Sequence, residues 1–167
     1  RNKLCTSKVD DFTNGSSFHR VLWDDAQKGN SNTQLVKDKE IKRVVMCSGK
    51  VYYDLLEQRD ARELNNIYLL RFEQFYPFPA MSAVKELERF QNAEMIWCQE
   101  EPKNQGAWSF MEPNIEWVLS RIKAKFKRPT FVGRPASASP ATGLASQHKE
   151  QQDLLVDEAL NLKEIKK

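Results

Sequence analysis

Short apolar runs alternate with segments of helical periodicity from about residue 41 onward. Four runs stand out, at residues 43–47, 67–71, 95–98 and 130–132, and their length is typical of buried strands. Between them, apolar residues recur every three or four positions, as expected for helices that cover a sheet. Strands separated by helices predict an α/β fold of three layers, in which a mainly parallel sheet is flanked by helices.

The same pattern predicts helices between the strands and a division of the chain. One helix is capped by Ser48, and one begins at Pro79. A third uses Ile115, Val118, Leu119 and Ile122 and ends in the basic run at residues 123–128, and a fourth begins near Ser146 with Leu155, Ala159 and Leu162 facing inward. Residues 133–143 are rich in proline and small residues, which predicts an extended surface segment. We expect a connector at residues 1–40, an α/β domain at 41–162, and a frayed tail at 163–167.

Composition adds few constraints to this fold. The chain has 167 residues and a net charge of +3, which is too mild to argue for a nucleic-acid partner. Its three cysteines are widely spaced and form no metal-binding pair, which indicates reduced thiols. The two histidines, His19 and His148, lack ligands at metal-site spacing. No apolar run approaches the roughly 20 residues of a membrane span.

The strand around residues 96–98 is followed by a polar stretch that includes two adjacent carboxylates. Glu100 and Glu101 leave the predicted strand at its carboxyl end, where ligands and partners of open α/β sheets bind, and Asn104 and Gln105 follow. Adjacent residues of an extended segment point to opposite sides, so this pair is not expected to share a proton. We expect one carboxylate to accept hydrogen bonds from the turn at residues 105–107, and the other to face a subunit or ligand.

A second group of residues is a candidate anion site. Ser48, Gly49 and Lys50 lie between a strand and a helix, where free N–H groups and the helix dipole favour an anion. The full phosphate-loop spacing is absent, so a tight turn with a solvated lysine is the alternative interpretation. The guanidinium groups of Arg1, Arg71 and Arg134 are further candidates for contacts with a nucleotide.

Several separated blocks of the chain resemble one family. In order and spacing, the chain is similar to the carboxyl-terminal domain of the dehydrogenase component of 2-oxoglutarate dehydrogenase, a thiamine-diphosphate enzyme of the transketolase-like group. The blocks are residues 45–55 (VMCSGKVYYDL), 73–79 (EQFYPFP), 97–108 (WCQEEPKNQGAW), 133–143 (GRPASASPATG) and 151–152 (QQ).

The resemblance implies a division of labour within a longer enzyme of the tricarboxylic acid cycle. The full-length family enzyme decarboxylates 2-oxoglutarate and transfers the succinyl unit to the lipoyl group of its dihydrolipoyl succinyltransferase partner. Thiamine diphosphate and magnesium belong to the preceding domains, so neither cofactor nor turnover is expected in this chain alone. A bacterial cytoplasm or the mitochondrial matrix is the implied location, and neither a nucleic-acid polymer nor a membrane is an implied partner.

The resemblance also implies roles for particular residues. Family members use this domain for dimerisation with a second copy and for framing the approach to the active site, a contact role carried over to Glu100, Glu101, Asn104 and Gln105. Some bind an allosteric nucleotide or acetyl-coenzyme A, which makes Arg1 a candidate. Two alternatives stay open: a self-contained acyl-coenzyme A or nucleotide binding module, and the same domain of a 2-oxoadipate-specific relative.

Overall fold

A five-stranded sheet with helices on both faces forms the centre of the fold. The computed structural model describes residues 3, 5–7, 9–13 and 15–162. Arg1 and the tail at 163–167 lie outside the described residues. The strands are β1 (Val21–Leu22), β2 (Arg43–Cys47), β3 (Ile67–Phe72), β4 (Glu94–Pro102) and β5 (Thr130–Arg134). The helices are α1 (Val51–Ala61), α2 (Ala80–Leu87), α3 (Trp108–Arg121) and α4 (Ala145–Leu160), with short 3-10 helices at Val9–Phe12, Asp38–Glu40 and Glu88–Phe90.

The strand order is β1-β3-β2-β4-β5, with β1 antiparallel and the remaining strands parallel. The central strand β2 pairs with β3 on one side and with β4 on the other. The chain therefore leaves β2 toward one edge of the sheet and returns across it to the other edge. In open α/β sheets the crevice at such a reversal, outside the carboxyl ends of the strands, is the usual binding position. The predicted three-layer α/β fold is confirmed.

Alternation along the strands divides the core into two halves. Val44 and Met46 point to the face covered by α2 and α3, whereas Val45 and Cys47 point to the face covered by α1 and α4. All four side chains are fully buried. Because both faces of the sheet are covered, the central strands are continuously apolar, as the sequence pattern indicates.

The segment that precedes β2 is attached to the domain through buried polar contacts. Asp24 is fully buried, and its carboxylate pairs with the equally buried guanidinium of Arg59 on α1. The Asp24 carboxylate also accepts the N–H of Leu69 at 2.7 Å, and β1 pairs with the end of β3. The assignment of residues 1–40 as a connector from a preceding domain stays a prediction.

The boundaries of several elements differ from the prediction. The strand β4 extends to Pro102 because its far end pairs with β5 beyond a shift in register, so Glu100 and Glu101 are strand residues. The helix α3 begins at Trp108, seven residues before the first apolar position predicted for it, and it ends at Arg121, before the basic run where its end was predicted. Leu162 is 39% exposed instead of facing inward, since α4 ends at Leu160. Among the described helices, none combines the length and apolar character needed to cross a bilayer.

Candidate functional site

The carboxyl edge of the sheet carries the two predicted carboxylates on opposite faces. Glu100 lies on the α1 side, where it pairs with Lys50 at 2.7 Å and accepts a hydrogen bond from Gln152 at 3.0 Å. Glu101 is exposed and lines a pocket on the α3 side. The expectation that the two carboxylates do not share a proton therefore agrees with the geometry.

Gln99, which the sequence did not single out, organises the turn between β4 and α3. Its side chain is 4% exposed. The Oε1 atom accepts hydrogen bonds from Trp97 Nε1 and from the N–H of Trp108, both at 3.0 Å. The Nε2 atom donates to the carbonyl of Gln105 at 2.8 Å. The expectation that Glu100 or Glu101 holds this turn is wrong, because the amide of Gln99 fills that position.

Asn104 and Gln105 bind the proline-rich segment that follows β5. Asn104 donates to the carbonyl of Ser137 at 3.0 Å and accepts the N–H of Ser137 at 2.9 Å. Gln105 Nε2 donates to the same carbonyl at 3.2 Å. Within this chain both amides therefore order residues 135–139, and a contact with another subunit stays a prediction.

The predicted anion site at residues 48–50 faces carboxylates of the same chain. The N–H of Gly49 donates to Glu73 Oε1 at 3.2 Å. Lys50 bridges Glu100 at 2.7 Å and Asp54 at 3.1 Å. Although partial burial opposes the charged ammonium, these two carboxylates outweigh it and raise the pKa of Lys50. The prediction that Ser48 caps this helix is wrong. The helix α1 begins at Val51, so Lys50 occupies the N-cap position.

The two described arginines of the candidate anion site are also engaged within the chain. Arg71 stacks over the ring of Tyr52 at 4.5 Å, donates to Tyr53 at 3.1 Å and lies 3.4 Å from Glu73. Arg134 donates to Gln151 at 2.7 Å and to the carbonyl of Pro140 at 2.8 Å. Both arginines lie at the carboxyl end of the sheet, and the candidate Arg1 falls outside the described residues.

A pocket of about 410 Å³ opens at the carboxyl edge, between the ends of β2 and β4. We refer to it as the carboxyl-edge pocket. It is lined by Ser48, Phe75, Tyr76, Trp97, Gln99, Glu101, Gly106, Ala107 and Phe110. Aromatic rings dominate the walls, and Tyr76 and Phe110 at the rim are 85% and 39% exposed. Such a wall suits an apolar contact, and among the described residues Glu101 is the only charged group in its lining.

Groups suited to bond-making are scarce in the described part of the chain. No cluster of three or more histidine, cysteine, aspartate or glutamate side chains there could hold a metal ion. Cys47 and Cys98 are fully buried, and burial raises the pKa of both thiols, which keeps them protonated and poorly nucleophilic. The described site consists of paired ions, satisfied amides and an aromatic pocket.

These features define a class: a small α/β domain with an aromatic pocket and paired ions at the carboxyl edge of its sheet. The sequence model of the family described as "2-oxoglutarate dehydrogenase C-terminal" matches residues 6–160. The chain belongs to this family. Two relatives, each named "2-oxoglutarate dehydrogenase E1 component", come from Brucella anthropi and Brucella ovis. Each is 55% identical over 161 residues, which are 96% of this chain and 16% of the relative, so the chain spans about one sixth of their length.

Sequence reasoning located the edge of the sheet that carries the site but missed two residues that organise it. Glu73 supplies the carboxylate for the N–H of Gly49 and for Arg71, and Gln99 holds the turn. Gln99 directly follows the apolar run at residues 95–98, so only the extension of β4 to Pro102 shows that it is a buried strand residue that requires polar partners. Glu73 has no signal in the sequence either, because the parallel pairing that brings β3 beside β2 is visible only in three dimensions.

Proposed function

We propose that this chain is the assembly and regulatory domain of a 2-oxoglutarate dehydrogenase and that it acts through contacts. In the whole enzyme, 2-oxoglutarate is decarboxylated and the succinyl unit passes to the lipoyl group of the dihydrolipoyl succinyltransferase. Thiamine diphosphate with magnesium supplies the carbanion chemistry and is held by the part of the enzyme outside this chain. The bacterial origin of the relatives favours a cytoplasmic location over the mitochondrial matrix.

The observation that carries this proposal is the exposed aromatic rim of the carboxyl-edge pocket. Tyr76 and Phe110 are large apolar side chains left open to solvent at the rim. Aromatic residues on an apolar patch are typical of protein interfaces. A second copy of the subunit is the proposed partner, with Glu101 at the border of the contact. The buried amide of Gln99 in the pocket lining is engaged with the chain itself, which suits a preformed contact surface better than a reaction centre.

An activity assay tests the absence of bond-making in this chain. Purified chain is incubated with thiamine diphosphate, magnesium and labelled 2-oxoglutarate, and release of labelled carbon dioxide is measured. We expect no release above that of a heat-denatured sample. The complete dehydrogenase component of Brucella anthropi serves as the positive control under the same conditions. Turnover by the chain alone contradicts the proposed division of labour.

The regulatory part of the proposal concerns an anionic ligand such as acetyl-coenzyme A or a nucleotide. Lys50 and Arg134 both lie near Glu100, and Lys50 is bound to its carboxylate. A ligand phosphate would have to replace that carboxylate, so binding is expected to be weak and sensitive to salt. Titration of the chain with acetyl-coenzyme A should give saturable binding that Lys50→Ala and Arg134→Ala weaken. Unchanged binding in both variants rules out this site.

The alternative of a self-contained binding module is less favoured, because the family match covers nearly the whole chain. The 2-oxoadipate-specific alternative concerns the substrate of the whole enzyme. A comparison of the two 2-oxo acids with the complete enzyme that contains this chain separates them. We propose 2-oxoglutarate as the preferred substrate, since the relatives carry that name.

A further inference from the structure

The loop that follows α3 carries a dense group of exposed cations. The sequence contains no aspartate or glutamate between Glu116 and Glu150. Five cationic residues fall within residues 121–128, and all of them are exposed: Arg121, Lys123, Lys125, Lys127 and Arg128. Among the described residues, Glu116 is the only carboxylate within ion-pair distance of this group, and it pairs with Arg128 at 3.0 Å. The other four charges are therefore unbalanced.

Two half-exposed aromatic rings lie among these cations. Trp117 on α3 is 49% exposed, and Phe126 in the loop is 40% exposed. The guanidinium of Arg121 lies 5.7 Å from the ring centroid of Trp117, and the ammonium of Lys125 lies 5.4 Å from that of Phe126. Each ring is thus paired with a cation, which combines an apolar contact and a positive charge in one place.

The loop is held in place by contacts with its surroundings. The ion pair between Arg128 and Glu116 returns the end of the loop to α3, one residue from Trp117. The N–H of Ala124 donates to the carbonyl of Leu119 at 2.9 Å, and the N–H of Lys125 donates to the carbonyl of Gln91 at 2.8 Å. Ala124 itself is buried. A fixed surface loses less conformational entropy on binding than a mobile one does.

We propose that this surface binds an acidic polypeptide segment that also carries apolar side chains. We refer to it as the basic loop surface and define it by six residues: Trp117, Arg121, Lys123, Lys125, Phe126 and Lys127. The carboxylates of the partner pair with the four cations, and its apolar side chains contact the exposed parts of the two rings. Charge complementarity favours an acidic partner over a basic one. Among the described residues, the only carboxylate within ion-pair distance of these cations is Glu116, and it is already paired with Arg128.

The geometry favours a polypeptide over a nucleic acid or a membrane. Proteins that bind single-stranded nucleic acids without sequence preference stack successive bases on open aromatic faces, whereas more than half of the surface of both Trp117 and Phe126 is buried, which leaves only part of each ring for a smaller apolar side chain. The net charge of +3 is also too small for a strong general attraction to polyphosphates. A loop that inserts into a membrane must move its apolar groups away from the protein. Here the backbone N–H of Lys125 is hydrogen-bonded to the carbonyl of Gln91, and the guanidinium of Arg128 is paired with Glu116.

The basic loop surface is separate from the proposed contact at the carboxyl-edge pocket. Because α3 begins at the carboxyl edge and returns antiparallel to the strands, the loop after Arg121 lies at the amino edge, where β5 begins. If the carboxyl-edge pocket does not form a dimer contact, the proposed role of the basic loop surface is unaffected. If the basic loop surface does not bind the acidic peptide, the proposed dimer contact is unaffected. The two surfaces can therefore be tested independently.

The test measures binding of a fluorescent synthetic peptide in which glutamate alternates with leucine. We expect saturable binding that weakens with added salt and is absent for a peptide in which glutamine replaces glutamate. The double variant Lys125→Glu, Lys127→Glu should lose affinity by about tenfold or more, as the loss of two surface ion pairs and the introduction of repulsion imply. Trp117→Ser should also weaken binding, which tests the apolar part of the contact.

A matched double variant separates a defined surface from net charge alone. Lys103→Glu with Lys149→Glu reverses two exposed lysines away from the amino edge, one after β4 and one on α4, and changes the net charge equally. This variant should bind the peptide within about twofold of the unmodified chain at moderate salt, where distant charges are screened. Equal loss in both double variants overturns the proposal. Tighter binding of oligothymidylate, or of vesicles of phosphatidylserine and phosphatidylcholine, than of the peptide also overturns it.

Discussion

At the scale of single residues, the side-chain amide of Gln99 determines the turn that leads from β4 into α3. Its oxygen accepts from Trp97 and Trp108, and its two N–H groups donate to the carbonyls of Glu101, Pro102 and Gln105, so one N–H is shared between two carbonyls. These partners lie on both sides of the turn. One buried amide thereby holds Trp97 and the turn at residues 105–107, both of which line the carboxyl-edge pocket.

Replacement of this amide should destabilise the whole domain. Gln99→Leu leaves several buried polar groups without partners, and each such group costs about 1–3 kcal/mol, so we expect a loss of about 3 kcal/mol or more in the free energy of unfolding. Urea denaturation followed by circular dichroism measures it. The control Gln58→Leu replaces an exposed glutamine of α1 and should change stability by less than about 0.5 kcal/mol. Similar values for both variants contradict the assigned role of Gln99.

A carboxylate of α1 should make stability depend on pH. Partial burial opposes ionisation of Asp60, but hydrogen bonds from Thr33 and Ser31, the N–H of Asn32 and the charge of Arg59 outweigh it and lower its pKa. A lowered pKa in the folded state stabilises the fold above the unfolded value of about 3.9, and this stabilisation is lost as the pH falls below it.

Asp60→Asn should therefore reduce the free energy of unfolding near pH 7, and the reduction should be smaller at about pH 3, because the stabilisation decreases once the pH is below the unfolded value of about 3.9. Urea denaturation at the two pH values measures the difference. The matched variant Glu57→Gln removes an exposed carboxylate of the same helix and should have almost no effect at either pH. An equal loss for Asp60→Asn at both pH values is incompatible with this account.

At the scale of elements, Arg43 connects the start of β2 to the end of α4. Its fully buried guanidinium donates to the carbonyls of Glu158 at 3.2 Å and Ala159 at 3.0 Å, and it pairs with Glu94 at 2.6 Å. A cation at the carboxyl end of a helix satisfies carbonyls that have no partner within the helix. This contact holds α4 over Cys98 and the rest of that half of the core.

Loss of this contact should loosen α4 and expose buried thiols. In the unmodified chain, the exposed Cys5 should react quickly with an aromatic disulfide reagent, while Cys47 and Cys98 stay protected. In Arg43→Met, we expect faster reaction of a buried thiol, measured by mass spectrometry of the labelled cysteine. The neighbouring Lys42→Met replaces an exposed side chain and should react like the unmodified chain. Protection of both buried thiols in Arg43→Met contradicts the proposed role.

Some of the strands and helices can be predicted from the sequence, and others cannot. The central strands β2 and β3 were predictable because burial on both faces leaves continuous apolar runs. The far end of β4 was not, since its polar residues are in a strand only because β5 approaches closely. A side chain at Gly133 would lie 2.7 Å from the carbonyl of Gln99, so glycine permits that approach. The first half of α3 was also not predicted. It contains Pro113, a residue that usually indicates the start or end of a helix, although here it lies inside one.

The candidate site was predictable in position and less so in its connections. The sequence placed Glu100, Glu101 and Lys50 at the carboxyl edge, because strand ends and turn residues are visible in the pattern. It did not reveal that Lys50 pairs with Glu100 across two strands. Pairing between residues distant in sequence follows from the strand order, which the local pattern does not determine.

At the scale of the whole molecule, the chain is about one sixth of the length of its relatives and presents two surfaces with different chemistry. The carboxyl-edge pocket is aromatic with an acidic border, and the basic loop surface lies at the amino edge. Both suit contacts with other polypeptides. We propose that the carboxyl-edge pocket supports dimerisation, so the oligomeric mass of the chain is the property most closely connected to this account.

Light scattering across a concentration series measures this mass. We expect a mass that rises to that of a dimer, because the rim residues Tyr76 and Phe110 gain from burial against a second copy. The double variant Tyr76→Ser, Phe110→Ser should stay monomeric at the same concentrations. The matched variant Leu144→Ser, Leu154→Ser removes two exposed leucines elsewhere and should still dimerise. A monomeric mass for the unmodified chain at every concentration, or a dimer that persists in the rim variant, would contradict the account.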